Sequence, residues 1–227
     1  EEQGKPLIES KGEIEGCAEF IRWYAEEGKR VYGETVSGSN PNQRIMVLRQ
    51  PVGVCALITP WNFPGAMIAR KTAPALAAGC TVIAKPASET PRIAIAIFEQ
   101  LMKTGIPSGT ANLITGKASE IAETLMADQR VRKISFTGST EVGKQLMKQS
   151  SDQIKRLSLE LGGNAPVIVF PDANLDLAAE AIVSNKFENC GQMCNGINVI
   201  FAHRDIRKIL TEKIVNLVKE IKVGKGT

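Results

Sequence analysis

Two thiols four residues apart, in Cys190-Gly191-Gln192-Met193-Cys194, and one carboxylate, in Leu159-Glu160-Leu161-Gly162-Gly163-Asn164, are the groups best suited to covalent chemistry in this chain. A thiolate is a strong nucleophile, but most intracellular cysteines are inert buried hydrophobes, so both readings stay open for Cys190 and Cys194. Glu160 interrupts an apolar run; a carboxylate in an apolar setting has a raised pKa and suits general-base work, whereas a solvated strand end would leave it without a task. In Pro60-Trp61-Asn62-Phe63-Pro64, two prolines stiffen a loop whose Asn62 amide can donate to a developing oxyanion; a plain rigid turn explains the same residues. Lys85, in Lys85-Pro86-Ala87-Ser88-Glu89, can bond ribose hydroxyls or a phosphate, or be solvated. Thr137 to Gly143 follow an apolar run and open a helix. Unpaired N–H groups there favour an anion, although the glycine spacing is not G-x-G-x-x-G and a ligand-free turn fits as well.

Composition removes several chemistries. The only histidine is His203, too few for a two-His metalloprotease motif or a His-rich zinc site, and its setting in Ala202-His203-Arg204 gives no sign of the groups a Ser-His-Asp triad would place around it. Five cysteines, at 17, 55, 80, 190 and 194, make an odd count without a C-x-x-C pair, so neither a disulfide framework nor a structural metal is expected. Reduced thiols point to a cytoplasmic setting. The 227 residues carry 28 Lys plus Arg against 24 Asp plus Glu, a net +4 with no dense basic run, which argues against nucleic acid as a partner. No apolar stretch approaches the roughly 20 residues that span a bilayer, and no secretory leader opens the chain, which starts at Glu1 without Met and reads as a piece of something longer.

The elements that must position these groups follow from periodicity. Apolar residues at helical spacing predict a helix over 13–33 ended by Gly33, then an exposed β-leaning arm over 36–50. From Pro51 onward strands and helices alternate: strands 52–59, 80–84, 111–115 and 131–136, with helices 65–78, 91–104, 118–127 and 141–149. Four β-α units with continuous apolar strands imply a doubly wound, Rossmann-like parallel sheet covered on both faces, whose carboxyl edge is where ligands bind. A strand over 165–170 and a helix over 175–188 start a second α/β domain, followed by a helix over 206–223. The expected division is 1–160, a dinucleotide-binding domain with the arm near 36–50, and 161–227, the beginning of a catalytic domain.

Taken together, Pro60 to Pro64, Lys85 to Ala87, Phe136 to Gly143, Leu159 to Asn164 and Gly191 to Cys194 resemble the motifs of the aldehyde dehydrogenase superfamily, in order and spacing over the whole chain. The branch it looks most like is succinate-semialdehyde dehydrogenase, through Ile58 to Pro64, Met67 to Lys71 and Ser135 to Gly143. The resemblance implies that Cys194 is the nucleophile, that the Asn62 amide and the Cys194 N–H hold the oxyanion, and that Glu160 activates the water that hydrolyses the thioester. It implies a nicotinamide cofactor, NADP or NAD, contacted by Thr59, Pro60, Trp61, Lys85, Ser88, Gly138, Ser139, Gly143 and Leu161. Position 88 is Ser where members that prefer NAD often carry Glu, which tolerates a 2′-phosphate and leans to NADP.

Arg70 matches an Arg that holds the substrate carboxylate in that branch. Position 188, where the branch typically supplies a second Arg, is Glu here and would repel a dicarboxylate half; the branch's redox cysteine two residues past the nucleophile is Gly196. A small aldehyde is the implied substrate, succinate semialdehyde first, another such as lactaldehyde as the alternative, and a non-catalytic nucleotide-binding homologue as the reading from a different class. The resemblance also implies a homodimer or homotetramer joined through the arm, and a chain truncated at both ends relative to the family, inactive by itself.

Overall fold

A computed structural model describes residues 1–226, which divide into two compact units: residues 11–160 with Glu2, and residues 3–10 with Glu1 and the chain from Leu161 onward.

In the larger unit the strands are β1 (Glu34–Ser37), β2 (Arg44–Val47), β3 (Val54–Ile58), β4 (Thr81–Lys85), β5 (Ala111–Leu113), β6 (Val131–Thr137) and β7 (Arg156–Glu160). The helices are α1 (Leu7–Gly28), whose first turn belongs to the other unit, α2 (Pro64–Ala77), α3 (Arg92–Lys103), α4 (Ala118–Ala127) and α5 (Thr140–Ser150). Strands β3 to β7 form one parallel sheet in the order β5-β4-β3-β6-β7, so the expected doubly wound architecture is present. The chain works outward from β3 to β5, then returns to the other side of β3. One face buries Cys55, Leu57, Val82 and Ala84 with Ile68 of α2 and Phe98 of α3. On the opposite face the register partners Ala56 and Ile134 are fully buried too. A sheet buried on both sides needs apolar residues at consecutive positions, which is why its strands read as unbroken runs.

Helix α1 starts six residues before the expected position because Pro6 pre-sets the first turn, its carbonyl accepting from Ser10 N–H at 3.0 Å, and it ends at Gly28 rather than Gly33. The expected arm is an antiparallel hairpin, Glu34 opposite Val47, and every residue of β1 and β2 is exposed.

Helix α2 leaves the Pro60–Pro64 loop with Phe63 at its N-cap, a side chain that cannot accept a hydrogen bond. The cap comes from α1 instead: Glu13 Oε1 accepts from Gly65 N–H at 2.7 Å and from Ala66 N–H at 2.9 Å. A carboxylate there satisfies two donors that a helix leaves unpaired and meets the positive end of its dipole.

The smaller unit holds β8 (Pro166–Val169), α6 (Leu175–Phe187), β9 (Val199–Ala202) and α7 (Arg207–Lys219). The two strands are parallel, Pro166 opposite Val199, and Val169, Ala179, Ile182, Ile206 and Leu210 form their core. Asn174 Oδ1 caps α6 by accepting from Asp176 and Leu177 N–H. Strand β9 was absent from the sequence expectation; Val199 to Ala202 is a four-residue run too short for periodicity to type. Among the described residues no helix is long and apolar enough to cross a membrane, and no three His, Cys, Asp or Glu side chains cluster to hold a metal.

Replacing Glu13 by Ala is expected to lower the unfolding free energy by about 1–2 kcal/mol, the scale of a lost helix cap with a charged acceptor. Urea unfolding measures it; an unchanged midpoint would mean that water replaces the cap at no cost.

Candidate active site

The carboxyl ends of four neighbouring strands are in register. Ile58 of β3 pairs Lys85 of β4 and Phe136 of β6, and Thr137 pairs Glu160 of β7. Loop bonds extend the alignment, with Thr59 N–H to the Lys85 carbonyl at 3.2 Å and Gly138 N–H to the Glu160 carbonyl at 3.1 Å. Thus Thr59, Pro60, Trp61, Asn62, Lys85, Ser88, Gly138, Ser139 and Glu160 all line one edge, about 14 Å from Lys85 to Glu160 at the usual strand spacing. Gly143 is buried inside α5 and Arg70 stands exposed on α2. Leu161 and Cys194 belong to the other unit.

Each edge residue has a local reason for its position. Asn62 Oδ1 accepts from Phe63 N–H at 3.1 Å, which fixes the amide plane and directs the Nδ2 donors to the other side. Thr90, itself fully buried, bonds the Trp61 carbonyl through Oγ1 at 3.4 Å and so ties the loop after β4 to the loop after β3. A Cβ at position 138 would lie 2.4 Å from the Phe136 ring, so any larger residue there would have to displace that ring. Ser139 caps α5 by accepting from Val142 N–H at 3.3 Å. Lys85 is 5% exposed, not the solvated lysine that the sequence also allowed. Burial holds its pKa below the usual lysine range, with Glu89 pulling the other way.

Of the two settings the sequence allowed for Glu160, the structure shows the solvated strand end: strand β7 alternates exposed and half-buried residues, with Arg156, Ser158 and Glu160 facing out. The buried titratable group beside it is Lys71 of α2, which sequence reasoning passed over. Its Nζ donates to Ser135 Oγ at 3.0 Å, and burial pushes its pKa down to about 8, opposed by the Glu160 carboxylate and assisted by Lys133. Lys133 Nζ in turn donates to Ser158 Oγ at 2.6 Å. Lys133, Ser135 and Thr137 alternate along β6 and face the same side as their partners Arg156, Ser158 and Glu160, making a polar ladder that ends at the carboxyl edge.

In the smaller unit α6 gives way at Glu188 to a single 3-10 turn, and Asn189, Cys190 and Gly191 are all left-handed, at φ 50°, 57° and 77°. Two consecutive non-glycine residues in that region cost on the order of 1–2 kcal/mol each and persist only where neighbours impose them. Asn189, fully buried, supplies much of that: its N–H donates to Glu9 Oε2 at 2.8 Å, its Nδ2 donates to the Gln192 carbonyl at 3.2 Å, and its carbonyl accepts from Gln192 Nε2 at 3.0 Å. Cys190, within the strained turn, and Cys194, in the turn that follows, are exposed, whereas Cys17, Cys55 and Cys80 are buried. Burial, reinforced by the neighbouring Cys80 thiol, pushes Cys55 up to about 12, which keeps it protonated and unreactive. Asn189, Gln192 and Glu9 carry no signal in sequence beyond the G-Q pair itself.

Two features of the edge fit a dinucleotide. Thr59 Oγ1 is buried with no hydrogen-bond partner, and the Lys85 ammonium has no hydrogen-bond acceptor among the described residues. Both lie at the carboxyl edge of the sheet, Thr59 just after β3, whose switch point with β6 is where open parallel sheets bind such ligands, and Lys85 at the end of the neighbouring β4.

The aldehyde dehydrogenase family description matches residues 1–227. This chain belongs to the aldehyde dehydrogenase family. It is 52% identical over 225 residues, 99% of its length, to a glutarate-semialdehyde dehydrogenase of Pseudomonas putida and, equally, to an NADP(+) succinate-semialdehyde dehydrogenase of Escherichia coli. A 3-sulfolactaldehyde dehydrogenase of Pseudomonas putida is 48% identical over the same span. Among solved structures, an NADP-dependent enzyme of Escherichia coli superposes with a TM-score of 0.97 at 51% identity, over 99% of this chain and 47% of that one. The chain spans about half the length of the curated relatives it matches, 47%, 47% and 46% of these three. The aldehyde dehydrogenase fold, with its parallel sheet and the beginning of a second α/β unit, is therefore the fold of this chain.

Within that aldehyde dehydrogenase fold Lys71 makes a checkable signature. Its folded pKa of about 8 lies below the ordinary 10.5, so below pH 8 the charge burdens the folded state, and stability rises as pH climbs from 8 towards 10.5 while the unfolded chain still holds the proton. Lys71→Met is expected to raise the unfolding free energy at pH 7 by on the order of 2 kcal/mol, a gain that shrinks across pH 8 to 10.5. Paired denaturation curves at pH 7 and pH 10 test this; a gap that is constant or widens with pH contradicts it.

Proposed function

We propose that the complete protein oxidises an aldehyde carrying a distal acidic group, succinate semialdehyde first among them, to the carboxylic acid. Cys194 is the nucleophile, and the observation that carries this is that its thiol, at the end of the Gly191-to-Cys194 motif, is exposed while Cys17, Cys55 and Cys80 are buried. Its thiolate attacks the aldehyde carbon. The oxyanion of the resulting thiohemiacetal accepts hydrogen bonds from Asn62 Nδ2 and the Cys194 N–H. A bound nicotinamide supplies the hydride acceptor that converts this adduct to the thioester. Glu160 then takes a proton from water, whose oxygen attacks the thioester carbonyl and releases the acid and the Cys194 thiolate. No histidine is required, in keeping with a chain whose single imidazole, His203, lies between β9 and α7.

Lys85 holds the adenosine ribose, with Thr59, Pro60, Trp61, Gly138, Ser139, Gly143 and Leu161 around the rest of the cofactor. Ser88 is exposed and small beside Lys85, which supports NADP, with NAD also accepted. Arg70 receives the acidic end of the substrate, a reading supported by three relatives whose names specify aldehydes with a carboxylate or a sulfonate. Residues 1–160 serve as the dinucleotide-binding domain and those from 161 as the start of the catalytic one, with the hairpin of β1 and β2 joining subunits. A second reading, a smaller or neutral aldehyde such as lactaldehyde, is favoured by Glu188, which is exposed at the head of the nucleophile turn.

In the complete protein, Cys194→Ala is expected to abolish aldehyde oxidation and Asn62→Ala to lower kcat by about a hundred- to a thousand-fold, the usual effect of deleting one oxyanion donor. Steady-state assays with NADP and NAD over succinate semialdehyde and lactaldehyde check both the chemistry and the substrate order. Full activity of Cys194→Ala would end the proposal, and a preference for lactaldehyde would move it to the second reading.

A further inference from the structure

Arg70 is exposed on α2, and among the described residues it makes no ion pair and no hydrogen bond. What it does meet is a ring: its Cζ lies over Phe20 of α1, 4.9 Å from the ring centroid. Phe20 is itself braced by Tyr24 one helical turn on, the two ring centroids 6.3 Å apart. Of the nearby carboxylates on α1, Glu13 and Glu19 have other partners, and Glu15 makes no ion pair with Arg70. Glu13 caps α2, and Glu19 pairs Arg22 at 2.5 Å. An unpaired guanidinium keeps five donors in one plane, and an aromatic face beneath it removes the freedom to swing without occupying any of those donors.

We propose, building on the functional reading above, that Phe20 is a specificity-determining positioning residue: its ring holds the Arg70 guanidinium as a planar fork for the acidic end of the substrate, a carboxylate or a sulfonate. The Phe20 contact is with the Arg70 side chain, so its effect falls on recognition of the anion and not on the reacting carbon. A leucine at position 20 keeps apolar volume while losing the π face; tyrosine or tryptophan keeps the face.

The test uses the complete enzyme with succinate semialdehyde and an uncharged aldehyde of similar length. In Phe20→Leu, KM for succinate semialdehyde is expected to rise about five-fold, the lower-middle of the range for a cation–π contact, while kcat and the KM for the uncharged aldehyde stay within two-fold. Phe20→Tyr restores the wild-type KM. Calorimetric titration of succinate into the same variants reads the fork without turnover and weakens by the same factor in Phe20→Leu. Equal losses on both aldehydes, or an unchanged succinate affinity, would overturn the role of Phe20. Absence of any aldehyde oxidation by the wild type would instead overturn the functional reading, leaving the succinate titration to decide on the fork.

Discussion

The winding of the parallel sheet is the constraint on which the site depends. Because the chain runs from β3 outward through β4 to β5 and then resumes at β6 on the other side of β3, the carboxyl edge holds a reversal of winding between β3 and β6, the position at which open parallel sheets bind ligands. Strand register does the rest. Lys85, Thr59, Gly138 and Glu160 reach the edge together because Ile58, Lys85 and Phe136 are paired residue for residue, and the burial of Leu57, Val82 and Ile134 beneath them makes a slip costly.

Charge is distributed around that edge in an ordered way. Lys71 and Lys85 are both buried and both destabilised as cations, one bonded to Ser135 and the other with only Glu89 to oppose the burial. A third buried lysine, Lys155, contrasts with them: its Nζ donates to the Asp128 and Val131 carbonyls and to Gln153 Oε1, at 2.7, 2.7 and 2.8 Å, and so locks the turn between α4 and β6 to the start of β7. Lys155 is consumed by structure, whereas Lys85 retains donor capacity for a ligand. The same contrast separates Glu13, whose carboxylate caps α2, from Glu160, which stands exposed at a strand end.

The alternation of β and α elements was legible because strands buried on two faces leave unbroken apolar runs, and α4 matches its expected span at both ends. The site motifs were legible where a short segment carries its own constraint, as Phe136 does over Gly138. What escaped depends on residues distant in sequence. The cap on α2 comes from 52 residues away and the partner of Lys71 from 64, so no local pattern announces either. Strand β9 is too short to show a period, and sequence left Glu160 between an apolar and a solvated setting because Leu159 and Leu161 suggest an apolar run where β7 in fact alternates.

The central claim is covalent: an acyl group resides on Cys194 until Glu160 activates water to release it. The most direct measurement is mass spectrometry of the complete Glu160→Gln enzyme quenched after mixing with cofactor and succinate semialdehyde. The account predicts a succinyl adduct on the peptide containing Cys194, approaching one per active site and far above its level in the wild type. No adduct under turnover conditions, or one carried by Cys190 instead, would contradict it.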